Sequence, residues 1–121
     1  MSFAVKYDKI ADCILVTVNG NFNLSILPLL AAEVKHLIHD NSCIHILTDF
    51  RHAELTDSPT NTYKMPDSAL NSGICRSIKR ALVVKKIEQN FRFLETVFIN
   101  RGNVVKLFDN MDEARNWLNS N

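Results

Sequence analysis

Apolar and polar positions alternate at the start of the chain. Phe3, Val5 and Tyr7 fall on one side and Ala4 and Lys6 on the other, which is the period of a half-buried strand. Asp8–Asp12 reads as a turn. Cys13–Val18 is rich in β-formers and nearly continuous in apolarity, so a second, more central strand is expected. The short connection makes the two an antiparallel hairpin. Asn19-Gly20-Asn21 is a turn signal that should end the second strand.

The period then changes. Leu27, Leu30, Val34, Leu37 and Ile38 recur at helical spacing, with Ser25 placed as N-cap and Pro28 in the first turn. Asn41-Ser42 stops this helix. Cys43–Phe50 lacks clean alternation, as expected of a parallel strand buried on both faces. Ser58-Pro59 looks like an N-cap followed by the first helical residue. Pro66 should interrupt that helix, so one or two short helices are expected, with the order of Thr56–Gly73 left open.

The last third carries the clearest pattern. Arg80–Val84 is a fourth strand. Leu94, Val97 and Phe98, widened by Phe91 and Phe93, make a helical stripe that ends at Gly102. Ile99 falls off that stripe, as a contact with a partner or a second copy would. Val104–Phe108 is a fifth strand. Asp109 or Asn110 caps a last helix with Met111, Ala114 and Leu118 on one face and Trp117 alongside. The expected architecture is one α/β domain over residues 1–121, in the order ββαβ(α)βαβα. Its five-stranded sheet is mixed, with an antiparallel first hairpin and the rest mostly parallel.

Composition removes several function classes. Formal net charge is +1, so no global field recruits nucleic acid or an anionic membrane. Cys13, Cys43 and Cys75 are far apart and have no metal or redox spacing. The first residues show neither a basic nor a long apolar region, and no run reaches membrane-spanning length, so a cytoplasmic protein is expected. His36 and His39 sit close on one helix, but no Cys or His motif completes a metal site, and His45 reads as a hydrogen-bonded core residue. No metal and no cofactor are expected.

The order of elements resembles that of STAS domains, the anti-sigma-factor antagonist fold, and more narrowly the small SpoIIAA-like proteins. Two passages carry the resemblance. One is the strand, Asn19-Gly20, the helix and a third strand ending at Asp49. The other is the tail VVKLFDNMDEARNWL. The resemblance implies a non-catalytic regulatory module that binds a protein partner. In that family an Asp-Ser pair follows the third strand, opens a helix and is phosphorylated on the serine by the partner kinase. Asp57-Ser58 stands at similar spacing here, followed by Pro59-Thr60-Asn61 where the family motif has a glycine. Ser58 is therefore either a phosphorylation site or simply a helix cap.

In open α/β sheets, ligands and partners bind beyond the carboxyl ends of the strands. The residues expected there are Asn21, Asp49, Arg51, His52, Asp57, Ser58, Lys85 and Lys86. A basic cluster of Arg76, Lys79, Arg80, Lys85, Lys86 and Arg92 could meet an acidic partner. The middle segment and the large residues Tyr63, Phe91, Phe93, Phe98 and Trp117 could enclose a pocket. This is the second reading, a carrier of a small amphipathic ligand such as a lipid. Ser58 with His52 as base is the sole nucleophile pair a hydrolase could use, and the chain has no phosphate or oxyanion loop to support it. A homodimer is compatible with all of these.

Overall fold

The computed structural model describes residues 2–120; Met1 and Asn121 of the expected 1–121 unit lie outside the described residues. The chain runs β1 (Ser2–Asp8), β2 (Cys13–Phe22), α1 (Leu27–Asn41), β3 (His45–Leu55), α2 (Pro59–Asn71), β4 (Lys79–Val83), α3 (Gln89–Asn100), β5 (Val105–Phe108) and α4 (Met111–Leu118). The strands lie side by side in sequence order. β1 and β2 are antiparallel, and every later pairing is parallel. This is the mixed sheet that the alternation of patterns predicts.

Helices α1, α2 and α3 cover one face. They bury Leu30, Val34, Met65, Leu94 and Phe98 against Ile14, Val16, Ile46 and Leu82 of the sheet. On the other face α4 stands alone and sets Ala114 and Leu118 over Leu47, Ala81, Val83 and Phe108. Lys79 is tied to this layer, with its ammonium 4.6 Å from the Trp117 ring centre and donating to the Trp117 carbonyl. α4 packs on β3, β4 and β5, and its cluster also takes in Cys13 and Leu15 at the start of β2.

Two expected strand ends move. β2 does not turn at Asn19-Gly20-Asn21 but continues to Phe22, with Gly20 at φ +85°. β3 likewise continues past Asp49 and Phe50 to Leu55. The two strands stay paired beyond Thr17 only because β3 accommodates one extra residue, since Thr17 faces Asp49 but Asn19 faces His52. Such a bulge exchanges the faces of the residues beyond it. Before it, Ile46 and Phe50 point at the helices; after it, Ala53 and Leu55 do. The bulge leaves the Arg51 N–H without a regular ladder partner, and the Asp49 carboxylate accepts it at 3.0 Å.

α2 is one continuous helix despite Pro66. The proline costs the hydrogen bond that its missing N–H would give to Thr62. Thr62, Met65, Pro66 and Ala69 are all buried on one stripe, and that packing holds the helix through the gap. α2 and α3 both end on a left-handed glycine. The Gly73 and Ile74 amides donate to Leu70 and Ala69, and the Gly102 and Asn103 amides to Ile99 and Phe98. At α1 the cap is not Ser25. The helix starts from Ile26, whose N–H is taken by the Asn23 side chain at 3.2 Å.

Candidate functional site

The carboxyl ends of β2 and β3 meet the starts of α1, α2 and α3 at one rim. Asp57 is the knot. One of its oxygens accepts the Leu24 N–H at 2.6 Å, tying the β2–α1 junction to the start of α2. The other accepts the Ser58 N–H at 2.9 Å and the Asn61 amide at 2.8 Å. The Leu24 N–H first, then the Asn61 side chain, hold its carboxyl below the usual carboxylate range. Ser58 is exposed and caps α2, its Oγ accepting the Asn61 N–H at 3.1 Å. The N-cap expected from Ser58-Pro59 is therefore present. From the other side the Asn90 side chain donates to the Leu55 carbonyl at 3.3 Å, bringing the start of α3 to the same rim.

Two open grooves lie at this end of the fold, the first of them beside Ser58. One of about 330 Å³ lies between α2 and α3 and is lined by Leu55, Pro59, Thr62, Asn90 and Phe93. The other, of about 340 Å³, is lined by Asn21, Asn23, Ser25, Ile26 and Leu29. Asn21 is exposed on the continuation of β2, and Lys85 and Lys86 are exposed in the connection from β4 to α3.

The residues expected on one rim divide into two sets. Asn21, Asp57, Ser58, Lys85 and Lys86 stand at strand ends or beyond them. Asp49, Arg51 and His52 are within β3 instead. Asp49 is 7% exposed and pairs through both oxygens with the Arg51 guanidinium at 3.0 and 2.9 Å. Burial pushes its carboxyl up, but the Arg51 bonds outweigh this and hold it below the usual carboxylate range. Leu55 lies six residue steps along the strand from Asp49, about 20 Å at 3.3 Å per residue. After the bulge, His52 points away from the helices, because Ala53 next to it points towards them. No hydrogen bond joins His52 to Ser58 among the described residues. Sequence spacing missed this because strand continuation and a bulge depend on partners elsewhere in the chain.

The basic cluster also disperses. Arg92 pairs with Glu95 at 3.1 Å, and Lys79 is committed to the end of α4. Arg80 is buried at 7% exposure beneath α3, where its Nε donates to the Ile78 carbonyl at 3.2 Å and its Nη2 to the Asn103 side chain. Glu95 was equally invisible in sequence. It is buried on α3 and accepts the Leu107 N–H at 2.7 Å, which closes the outer edge of β5.

A partly open apolar space does exist under the middle segment. It holds about 80 Å³ and is walled by α1, α2, α3 and the sheet. Of the five large residues expected around it, only Phe98 lines it. Tyr63 is exposed and stacks on Arg101, and Trp117 lies across the sheet against Phe108. The volume is far below the roughly 300–1,000 Å³ of drug-sized sites, so a lipid chain does not fit this conformation.

His36 meets Asp40 at 3.1 Å on the surface of α1. His45 is half-buried, and its ring makes no hydrogen bond among the described residues. No three His, Cys, Asp or Glu side chains gather as metal ligands among the described residues. No described helix is long and apolar enough to cross a membrane.

No protein-family model matches the sequence, and no curated protein matches it. Solved structures do match by shape. An anti-sigma factor antagonist from Mycobacterium paratuberculosis superposes with a TM-score of 0.64 at 14% identity, covering 98% of this chain and 96% of that one. The anti-sigma factor antagonist SpoIIAA in its unphosphorylated form gives 0.58 at 12% identity, over 93% of this chain and 92% of that one. The Bacillus cell fate determinant SpoIIAA in its phosphorylated form gives 0.58 at 13% identity, over 96% and 98%. The matches run almost end to end on both sides, and strand order, antiparallel hairpin and helix placement agree with the order read from the sequence. The chain has the STAS fold of the anti-sigma-factor antagonists.

Proposed function

We propose that this protein is a non-catalytic regulatory module that binds a protein partner through the rim around Ser58, and that phosphorylation of Ser58 releases the partner. The observation that carries this reading is the exposed Ser58 hydroxyl at the first turn of α2, on a residue whose backbone N–H is accepted by an Asp57 that is itself fixed to the β2–α1 junction. A phosphoryl group on that oxygen gains from the unpaired amides of the helix start. It also places two or so negative charges beside Asp57, which changes the rim from near neutral to acidic at one stroke. Lys85 and Lys86 are basic groups on the same rim. A solved fold-mate exists in both an unphosphorylated and a phosphorylated form, which supports the switch by analogy of fold.

The test is capture of a partner by the tagged protein in extract of its own host, with Ser58→Asp beside the wild type. Aspartate is as good an N-cap as serine, so the variant keeps α2 and changes only charge. A partner held by the wild type and lost by at least about tenfold in Ser58→Asp is the expected result. Equal capture by both, together with a native mass that shows no phosphate, would end this reading.

Ile99 would be a second contact, separate from the rim, near the C-terminal end of α3. It is 48% exposed on α3, so Ile99→Lys should shift stability by no more than about 0.5 kcal/mol. Sedimentation at several concentrations should show weaker self-association for the variant, or the capture experiment weaker partner retention. If both stay at wild-type values, Ile99 is not a contact.

A further inference from the structure

The two edges of the sheet are finished differently. β5 is four residues long, and the Glu95 carboxylate accepts its outward Leu107 N–H at 2.7 Å. β1 is seven residues long, contains no proline and pairs with β2 without a break in register. Which of its amides are free can be traced from strand to strand. The Lys79 N–H donates to the Ile44 carbonyl, so Ile46 and Thr48 turn their backbone groups to β4, and Leu47 and Asp49 turn theirs to β2. With Leu15 beside Leu47, Ile14 and Val16 turn to β3, and Leu15 and Thr17 to β1. Their partners Lys6 and Ala4 therefore spend their amides on β2. The N–H and C=O groups of Phe3, Val5 and Tyr7 point out of the sheet, and none of these three N–H groups donates a hydrogen bond among the described residues.

The side chains of the same three residues are also unfinished. Phe3, Val5 and Tyr7 lie on the helix side of the sheet and are only half-buried, as is Leu37 of the overlying α1. The Tyr7 hydroxyl donates to Asp12 at 2.7 Å, which holds the ring in place at the edge. Exposed edges are normally protected by shortness, a proline, a bulge or charge. β1 has Lys6 for this purpose, since Asp8 is committed to the turn, where it accepts the Ile10 and Ala11 N–H groups.

We propose that a second copy of this chain pairs on β1, antiparallel and about a two-fold axis at Val5, so that the two sheets become one. The register follows from the groups that are free. With the axis at Val5, that residue faces Val5 of the other copy, and each Phe3 faces a Tyr7. All the outward-pointing residues of both strands then form hydrogen-bonded pairs, each exchanging both N–H···O bonds. Aromatic and β-branched residues are placed opposite their own kind, the pairs favoured across strands. An axis at Lys6 would set two ammonium groups directly opposite each other, and an axis at Ala4 would carry Tyr7 past the start of β1. Charge and hydrogen-bonding capacity thus select the same register. The match of Phe3 to Tyr7 across a two-fold is a property of this strand with itself, which favours a second copy over a foreign strand. The proposal does not rest on Ser58.

The experiment is sedimentation velocity of the full chain over a wide concentration range, up to that of an NMR sample. A concentration-dependent dimer is expected of the wild type. Val5→Pro removes an outward N–H that the monomer does not use, a change an edge strand tolerates. It should weaken the dimer by at least about tenfold while the circular dichroism of the monomer is kept. Cross-linking in a Cys75→Ser background, which removes the exposed native thiol, reads the register. Val5→Cys should give a disulfide-linked dimer on mild oxidation, since facing residues of a hydrogen-bonded pair have Cα atoms about 5.5 Å apart. Tyr7→Cys should not, because its counterpart lies about 14 Å away along the seam. The proposal is overturned by a wild type that stays monomeric throughout, including one whose β1 edge takes a foreign strand in extract. It is overturned equally by a dimer that Val5→Pro leaves unchanged, or by Tyr7→Cys cross-linking as readily as Val5→Cys. Should Val5→Pro fail to fold, the wild-type dimer and the two cysteine variants decide it.

Discussion

Leu94→Ala is expected to cost the fold about 3–5 kcal/mol, the upper part of the range for buried leucines. The side chain is 2% exposed at the centre of α3, where that helix meets the sheet. It already borders the 80 Å³ void. The space its removal creates joins an existing cavity, and neighbours that have not closed the first void have little means of closing a larger one. For a chain of this length the loss corresponds to a fall in melting temperature of about 12–20 °C. Urea unfolding of the variant beside the wild type measures it. A cost below about 1 kcal/mol contradicts the close packing of α3 on the sheet. Ile99→Lys, five residues on and exposed, is the internal control, since the same helix should tolerate it.

The second large effect is at Asp57. Asp57→Ala removes the acceptors of the Leu24 N–H, the Ser58 N–H and the Asn61 amide together. The freed amides are partly hydrated, so the expected loss is about 2–3 kcal/mol rather than the sum of three buried bonds. Asp57→Asn keeps the shape but turns one acceptor into a donor, and is expected to fall between alanine and the wild type. The pH dependence has a definite sign. The folded carboxyl is held below its unfolded value. Its contribution is complete above the unfolded value near about 3.9 and is lost as pH falls through the lower folded one. Asp49, held low in the fold against its own burial, acts in the same direction. Acid unfolding of the wild type should therefore steepen below about pH 4, and Asp57→Ala should show a shallower slope there. An identical slope in both proteins would remove Asp57 from the acid transition. Because Asp57 holds the start of α2, its loss should also weaken any partner contact around Ser58.

The cap on α2 illustrates how local information survives into the fold. Ser58 followed by Pro59 states a helix start without reference to the rest of the chain, because the hydroxyl bonds an amide three residues on and the proline loses nothing there. Gly102 after the α3 stripe and Asn110 before the last helix are read in the same way, and each takes the expected role. Asp49 illustrates the opposite. It looks like the end of a strand and a rim residue. It is instead a buried carboxylate that catches the amide released by a bulge, and the bulge exists only because β2 runs on beside β3. Arg80 sits in a run of basic residues and reads as surface charge. It is buried because β4 lies centrally between β3 and β5 under α3.

The amino-acid sequence by itself determined the succession of strands and helices, the hairpin at the start, the mixed sheet and the capped serine at the head of α2. These arise from periodicity and from side chains that bond their own neighbours, and such signals span only a few residues. The tertiary structure alone decided where β2 and β3 stop, that α2 runs through Pro66, that Asp49 and His52 stand apart from Ser58, and that Arg80 borders an apolar void. Each of those depends on a partner many residues away. A strand ends where its neighbour ceases to offer hydrogen bonds, a helix survives a proline when its buried stripe outweighs one lost bond, and a charge is buried or not according to what is laid over it.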